Sequence, residues 1–122
     1  MKHIYKNISG VPFGRCKTRG QKNALRGWTD EIKHTQNLPR VLEACILRVT
    51  FLLPPDKFPS DFSHGPDLDS LLKRFLDPLK ENIFKETQGG DSWVVSLYVM
   101  KTKVESPEGA GAILEILPVT IT

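Results

Sequence analysis

The chain has 122 residues, of which 39% are hydrophobic and 25% are charged, with a net charge of +3. These values are typical of one globular domain and exclude a disordered chain. No apolar run approaches the roughly 20 residues of a membrane-spanning helix, and residues 1–7 lack the apolar core of a signal peptide. We therefore expect a cytoplasmic protein without membrane contact, whose single domain spans residues 1–122.

Charge is distributed unevenly along the chain. Residues 1–40 hold nine basic and two acidic residues, a net charge of +7, whereas the remainder holds eight basic and twelve acidic residues, a net charge of −4. This asymmetry is typical of a basic arm that binds a polyanion beside an acidic centre, although a solvated charged surface would have the same composition.

Segment 9–27 is rich in Gly, Lys and Arg and has no hydrophobic periodicity, which predicts a long basic loop or arm. Within it, Phe13 is a candidate to insert between bases. The basic residues of this segment are candidate contacts to DNA phosphates. They are Arg15, Lys17, Arg19, Lys22 and Arg26.

Two elements are predicted before the middle of the chain. Residues 28–37 could form a helix with Thr29 or Asp30 as its N-cap. Residues 44–53 are apolar except for Arg48 and Thr50 at alternate positions, which predicts a strand with one more solvated face.

A second helix is predicted to begin near Asp69. Leu72, Phe75, Leu76 and Leu79 recur at spacings of three and four residues, which is the pattern of an amphipathic helix. Because proline removes a helical hydrogen bond, Pro78 predicts a kink or a restart near Asp77.

Two strands are predicted in the last third of the chain. Residues 93–104 are mostly apolar and β-favouring, and residues 107–109 (Pro-Glu-Gly) read as a turn. Residues 112–121 are then predicted to return as the second strand of a hairpin, with Pro118 at an edge or a strand end. The order of elements predicts an α+β domain, with helices packed on a mixed or antiparallel sheet.

The segment Asp67-Leu68-Asp69 is the strongest candidate for a chemical site. Carboxylates at positions i and i+2 of an extended segment point to the same side, and carboxylate oxygens suit Mg²⁺. Lys73 follows Asp69 by four residues, so both share one helix face. Taken alone, the same residues are also explained by turn chemistry at Asp67, an N-cap at Asp69 and a surface ion pair between Asp69 and Lys73.

A third acid, Asp91, lies directly before the predicted strand 93–104. Residues at strand ends often line functional sites, although a polar turn residue is an equally ordinary role. His3, His34 and His64 are scattered and give no paired metal-ligand spacing. No Gly-rich phosphate-binding loop and no serine-nucleophile motif is present in the sequence.

From Arg48 to Leu117 the chain resembles the RusA-type Holliday junction resolvases, a family of crossover junction endodeoxyribonucleases. The resemblance is carried by residues 66–73 (Pro-Asp-Leu-Asp-Ser-Leu-Leu-Lys), residues 75–79 (Phe-Leu-Asp-Pro-Leu) and residues 90–95 (Gly-Asp-Ser-Trp-Val-Val). The two Asp and the Lys of the first motif keep the family spacing. Two positions depart from it: Ser70 replaces the usual Asn, and Gly90 replaces the first of two Asp.

The resemblance implies a function and a site. Asp67, Asp69 and Asp91 would bind Mg²⁺, for which Mn²⁺ can substitute, and Lys73 would assist catalysis. The protein would be a homodimer that resolves four-way junctions in branched DNA, acts in recombination and repair, and associates with the nucleoid. The departures at Ser70 and Gly90 keep a non-catalytic nucleic-acid-binding module open as an alternative. A protein-interaction domain with a charged surface is a third hypothesis.

Overall fold

The computed structural model describes residues 3–14, 18–58, 66–84 and 90–119, except for the side chains of residues 90 and 91. The strands and helices, in chain order, are β1 (Ile4–Ser9), α1 (Arg19–Lys33), β2 (Cys45–Leu53), α2 (Leu68–Ile83), β3 (Val94–Lys103) and β4 (Gly111–Pro118). Short 3₁₀ turns cover Pro55–Lys57, Gly90–Trp93 and Pro107–Gly109.

The four strands form one mixed sheet in the order β1-β4-β2-β3. Strand β4 is antiparallel to both β1 and β2, whereas β3 is parallel to β2 and lies at an edge. Parallel neighbours need a crossover connection, and α2 supplies it between β2 and β3. The α+β prediction with a mixed sheet and packed helices is confirmed.

Both helices cover the same face of the sheet. Phe75 of α2 lies between the layers, because its ring meets Phe51 of β2 edge-on at 5.6 Å between centroids and stacks on Trp28 of α1 at 6.1 Å. On β2, alternate residues from Cys45 to Leu53 are buried, as the two-residue period of a strand requires. One hydrophobic core therefore joins the sheet to both helices.

Helix α1 corrects two predictions. The loop predicted over 9–27 is wrong for residues 19–27, and the predicted caps Thr29 and Asp30 lie inside the helix. The true N-cap is Thr18, whose hydroxyl accepts from the Gln21 N–H at 3.1 Å while the Gln21 side chain accepts from the Thr18 N–H at 3.0 Å. This capping box satisfies two backbone donors and starts the helix at Arg19, nine residues before Trp28.

Two further predictions concern the sheet. The hairpin between the last two strands is wrong, because β4 pairs with β1 and β2 and not with β3. Strand β1 was not predicted, since Lys6 interrupts the apolar alternation of Ile4 and Ile8. Pro118 does end β4, as predicted.

Helix α2 runs without interruption through Pro78, so the restart predicted near Asp77 is wrong. Pro78 itself is buried, together with Phe75 and Leu79. The packing of this apolar face against the sheet outweighs the one hydrogen bond that proline removes. In the part of the chain that the structure describes, no helix has the length and apolar content needed to cross a membrane.

Candidate functional site

Both helices begin at the same end of the sheet. Strands β1, β2 and β3 point in one direction, because β1 and β2 are antiparallel to β4 and β3 is parallel to β2. The start of α2 lies at the end of β3, where Lys101 Nζ donates to the carbonyl oxygen of Pro66 at 2.9 Å, and Gly10, directly after β1, packs on Trp28 in the second half of α1. We call this end, where β1, β2 and β3 finish, the carboxyl end of the sheet.

Asp67 and Asp69 lie at the start of α2, at the carboxyl end of the sheet. Asp67 occupies the N-cap position, yet its side chain makes no capping hydrogen bond, whereas its carbonyl oxygen accepts from the N–H of Leu71 at 3.0 Å. Asp69 is in the first turn of the helix. Both residues are exposed, and among the described residues no ion pair includes either carboxylate.

This geometry rules out the explanation of Asp69 as an N-cap. Asp69 is not the N-cap, and Asp67, which is, does not use its carboxylate as a cap. An acid in the first turn still complements the helix dipole, so that explanation remains for Asp69. Because α2 begins at Leu68, residues 67–69 are not the extended segment from which a shared direction of the two carboxylates was predicted. Both carboxylates are exposed at the start of α2.

Lys73 lies one helical turn after Asp69 and is exposed. Among the ion pairs between described residues, none joins Lys73 to Asp69. The two side chains share a face of α2 because they are four residues apart. The ammonium group of Lys73 therefore lies on the same face of α2 as Asp69.

Lys101, near the end of β3, forms a hydrogen bond with the segment that precedes Asp67. Its Nζ donates a hydrogen bond to the carbonyl oxygen of Pro66 at 2.9 Å, and the contact is partly buried. Gly14 packs on the same place: a Cβ added there would lie 3.2 Å from the Cβ of Ser70 and 3.4 Å from that of Pro66. The start of α2 is therefore held from two sides.

We expect Lys101→Met to loosen the start of α2. The substitution keeps most of the side chain but removes the donor, and a partly buried hydrogen bond to a charged donor contributes about 1.5–3 kcal/mol. Amide hydrogen exchange should accelerate in the first turn of α2 and remain unchanged in β4. Lys103→Met is the control on the same strand. Unchanged exchange at Leu71 in Lys101→Met would show that the contact does not hold the helix.

The basic residues of α1 form one stripe. Arg19, Lys22 and Arg26 are exposed and follow one another at spacings of three and four residues, so they share a helix face. That face is opposite the buried residues Trp28 and Ile32. We call these three residues the basic stripe.

The basic stripe lies toward the carboxyl end of the sheet. Trp28 stacks on Phe75, and the Asn82 side-chain amide donates to the carbonyl oxygens of Ile32 at 3.3 Å and Lys33 at 3.2 Å. Later residues of α1 therefore meet later residues of α2, so the two helices run in the same direction. Their first turns, with Arg19 on one and Asp67 on the other, are at the same end of the molecule.

The remaining predictions for this region have different outcomes. Arg15 and Lys17 lie outside the described residues. Phe13 is only 8% exposed and belongs to the core, so its predicted role as a wedge between bases is wrong. Lys57 was not predicted as a site residue; its Nζ lies 5.4 Å from the centroid of the Phe13 ring, and it adds a cation just beyond the end of β2.

Asp91 lies at the opposite end of the sheet from Asp67 and Asp69. Its backbone belongs to the turn Gly90–Trp93, which leads into the start of β3, while Lys101, near the end of β3, contacts Pro66. At about 3.3 Å per residue, β3 separates the two ends by roughly 25–30 Å. One chain therefore does not bring the three predicted acids together.

Within one chain, the candidate metal ligands are thus two acids, Asp67 and Asp69. Among the residues with described side chains, no group of three or more His, Cys, Asp or Glu is arranged to hold a metal ion. Mg²⁺ commonly binds through one or two carboxylates and keeps several waters for its substrate. Asp67 and Asp69 fit that requirement, and a third protein ligand would have to come from elsewhere.

Comparison with known proteins adds no family assignment, because no family model matches the chain and no curated protein matches its sequence.

Proposed function

We propose that this protein is a metal-dependent endodeoxyribonuclease that cleaves branched DNA, as its resemblance to the RusA-type resolvases implies. The observation that carries the proposal is the exposure of the Asp67 and Asp69 carboxylates, which form no ion pair with another described residue, with Lys73 one turn after Asp69. The basic stripe lies at the same end of the molecule. Acids that could hold a cation and cations that could hold phosphates therefore lie at one end of the molecule.

Each group has a distinct role in the proposed reaction. Asp67 and Asp69 would hold Mg²⁺, or Mn²⁺ in its place. Such an ion, when bound, polarises a phosphoryl oxygen and lowers the pKa of a coordinated water. Lys73 would place positive charge beside the phosphate oxygens as negative charge grows on them in the transition state.

The basic stripe would neutralise phosphates away from the bond that is cleaved. Each phosphate contact releases a condensed counterion, so the affinity for DNA should fall steeply as salt rises. Three contacts from Arg19, Lys22 and Arg26 predict a slope of log affinity against log salt of about −3, before any contribution from other cations. Lys57 lies close enough to the same end to add a further contact.

A homodimer would allow Asp91 of one copy to join Asp67 and Asp69 of the other copy in one site. Within one chain Asp91 is at the wrong end of β3, so a site containing all three carboxylates requires Asp91 of a second copy. A two-fold symmetric dimer would then hold two such sites. That number suits a four-way junction, in which two opposed strands must be cut to resolve the DNA in recombination and repair.

The proposal is tested by incubating the protein with a labelled four-way junction and with linear duplex of the same arm sequence. We expect paired nicks in the junction in Mg²⁺ or Mn²⁺, and none in a chelator. The duplex should bind more weakly and remain intact. Absence of cleavage in every divalent ion would contradict the nuclease assignment.

A second candidate is a nucleic-acid-binding module without catalytic activity. The distance of Asp91 from the other acids favours it, and so do Ser70 and Gly90, which replace residues usual in the resembled family. It predicts salt-dependent binding to the junction without cleavage in any divalent ion. Absence of DNA binding even at low salt would exclude both candidates and leave a protein-interaction domain.

A further inference from the structure

We propose that Phe13 and Lys57 form a phosphate-binding unit beside the start of α2, in which the Phe13 ring orients the Lys57 ammonium group toward a DNA phosphate. Lys57 makes the contact, and Phe13 is a positioning residue that acts through Lys57. The inference rests on the proposed function for the identity of the ligand, branched DNA, but it concerns binding and not cleavage.

Lys57 ends a rigid turn at the carboxyl end of the sheet. The turn Pro55–Lys57 begins two residues after the last residue of β2. Pro54 and Pro55 each fix one φ angle of this segment, and the N–H of Lys57 donates to the carbonyl oxygen of Pro54 at 2.9 Å. The backbone that carries the Lys57 side chain is therefore held in one conformation.

The ammonium group of Lys57 is placed by an aromatic ring. Its Nζ lies 5.4 Å from the centroid of the Phe13 ring, which is within the range of about 6 Å for a cation–π interaction. The ring is itself held in place, because Phe13 is buried and belongs to the hydrophobic core. Lys57 therefore loses less side-chain freedom on binding a ligand than a lysine that extends into water.

The charge of Lys57 remains available to a ligand. Among the described residues, no carboxylate forms an ion pair with Lys57. The face of an aromatic ring attracts a cation without neutralising its charge. An ammonium group offers three hydrogen-bond donors and no acceptor, and lysine binds phosphate as a point charge. The chemistry of this unit therefore fits a phosphate oxygen of DNA.

Phe13 also connects Lys57 to the start of α2. Gly14 follows Phe13 in the chain and packs on the first turn of α2, because a Cβ added to Gly14 would lie 3.2 Å from the Cβ of Ser70 and 3.4 Å from that of Pro66. Pro66 and Ser70 flank the two candidate metal ligands in the sequence. A DNA strand bound at those acids would therefore lie close to the ammonium group of Lys57.

A purely structural role for Lys57 predicts a different result on substitution. The apolar stem of a lysine can cover an apolar surface, and the half-buried Lys57 side chain would then serve only to shield the Phe13 ring from water. Methionine would shield the ring equally well but carries no charge. Lys57→Met therefore distinguishes a cover over Phe13 from a phosphate contact.

Titration of a labelled four-way junction in Ca²⁺, repeated between about 50 and 200 mM salt, tests the contact. We expect Lys57→Met to bind about 10-fold more weakly, with a slope of log affinity against log salt that is shallower by about 0.9. Lys57→Arg should bind as wild type does, because a guanidinium group also binds over an aromatic ring. Lys33→Met, in the last turn of α1, is the control and should leave the slope unchanged. An unchanged slope in Lys57→Met would overturn the proposal.

Phe13→Leu tests the positioning role of the ring. Leucine keeps an apolar side chain in the core but has no aromatic face, so we expect about 3-fold weaker binding. The double variant Phe13→Leu/Lys57→Met should bind no more weakly than Lys57→Met alone, because the ring acts only through the ammonium group. A further loss in the double variant would overturn the positioning role. If Phe13→Leu fails to fold, Lys57→Met and Lys57→Arg decide the proposal.

These titrations measure binding without cleavage. Junction binding that depends on Lys57 in a protein that never cleaves would support the phosphate contact and contradict only the nuclease function. A junction cleaved by wild type but bound equally by wild type and Lys57→Met would overturn only the phosphate contact. Absence of binding by wild type at low salt would overturn both.

Discussion

A mixture of two inactive variants, Asp69→Asn and Asp91→Asn, should regain cleavage of a four-way junction after the chains are unfolded and refolded together. Each variant alone should be inactive, because every site in it lacks one acid. In a mixed dimer whose sites combine both chains, one site loses both acids and the other keeps the full set. Random pairing makes about half of the dimers mixed, so about a quarter of wild-type sites should be restored.

The experiment distinguishes a site that contains Asp91 of the same chain from a site that contains Asp91 of the other chain. If Asp91 served the acids of its own chain, both sites of the mixed dimer would lack an acid and the mixture would stay inactive. The separation of Asp91 from Asp69 by the length of β3 predicts recovery instead. Asp69→Asn mixed with Asp67→Asn is the matched control, because these two acids lie in the same segment and that mixture should not recover.

Replacing Lys73 by Met should reduce the single-turnover cleavage rate about 100-fold or more, which is the usual loss when one group that stabilises transition-state charge is removed. The affinity for the junction should change only a few-fold, because the basic stripe still binds the phosphates. Cleavage and binding are measured separately, by quenched single-turnover reactions and by titration of labelled junction in Ca²⁺.

Arg74→Met is the control for Lys73→Met. Arg74 is the next residue of α2 and is also exposed, but it lies about 100° further around the helix. Loss of a cation there should leave the cleavage rate nearly unchanged. Equal rates for Lys73→Met and Arg74→Met would contradict a catalytic role for Lys73.

Local patterns predicted several elements closely. The apolar run 44–53 corresponds to β2 (Cys45–Leu53). The apolar residues spaced three and four apart around Phe75 correspond to the buried face of α2. Strand β1 was missed because it is short and Lys6 sits among its core-side positions. The start of α1 was missed because a capping box, Thr18 with Gln21, carries no hydrophobic signal.

Features that depend on distant segments were not predictable in this way. Strand pairing depends on residues far apart in the sequence. The residues of β4 therefore do not indicate that it pairs with β1 and β2 and not with β3. The same limit applies to the site: helix spacing places only Asp69 and Lys73 on one face of α2. The contact between Lys101 and Pro66 joins residues 35 positions apart, and the remoteness of Asp91 follows only from the parallel pairing of β2 and β3.

Single-turnover cleavage of a labelled four-way junction in Mg²⁺, by wild type and Asp69→Asn side by side, tests the central claim most directly. Asp77→Asn serves as control, because Asp77 is exposed on the same helix two turns further along. We predict cleavage by wild type and Asp77→Asn, and a loss of about 100-fold or more in Asp69→Asn. Equal cleavage by wild type and Asp69→Asn would contradict a metal site at the start of α2.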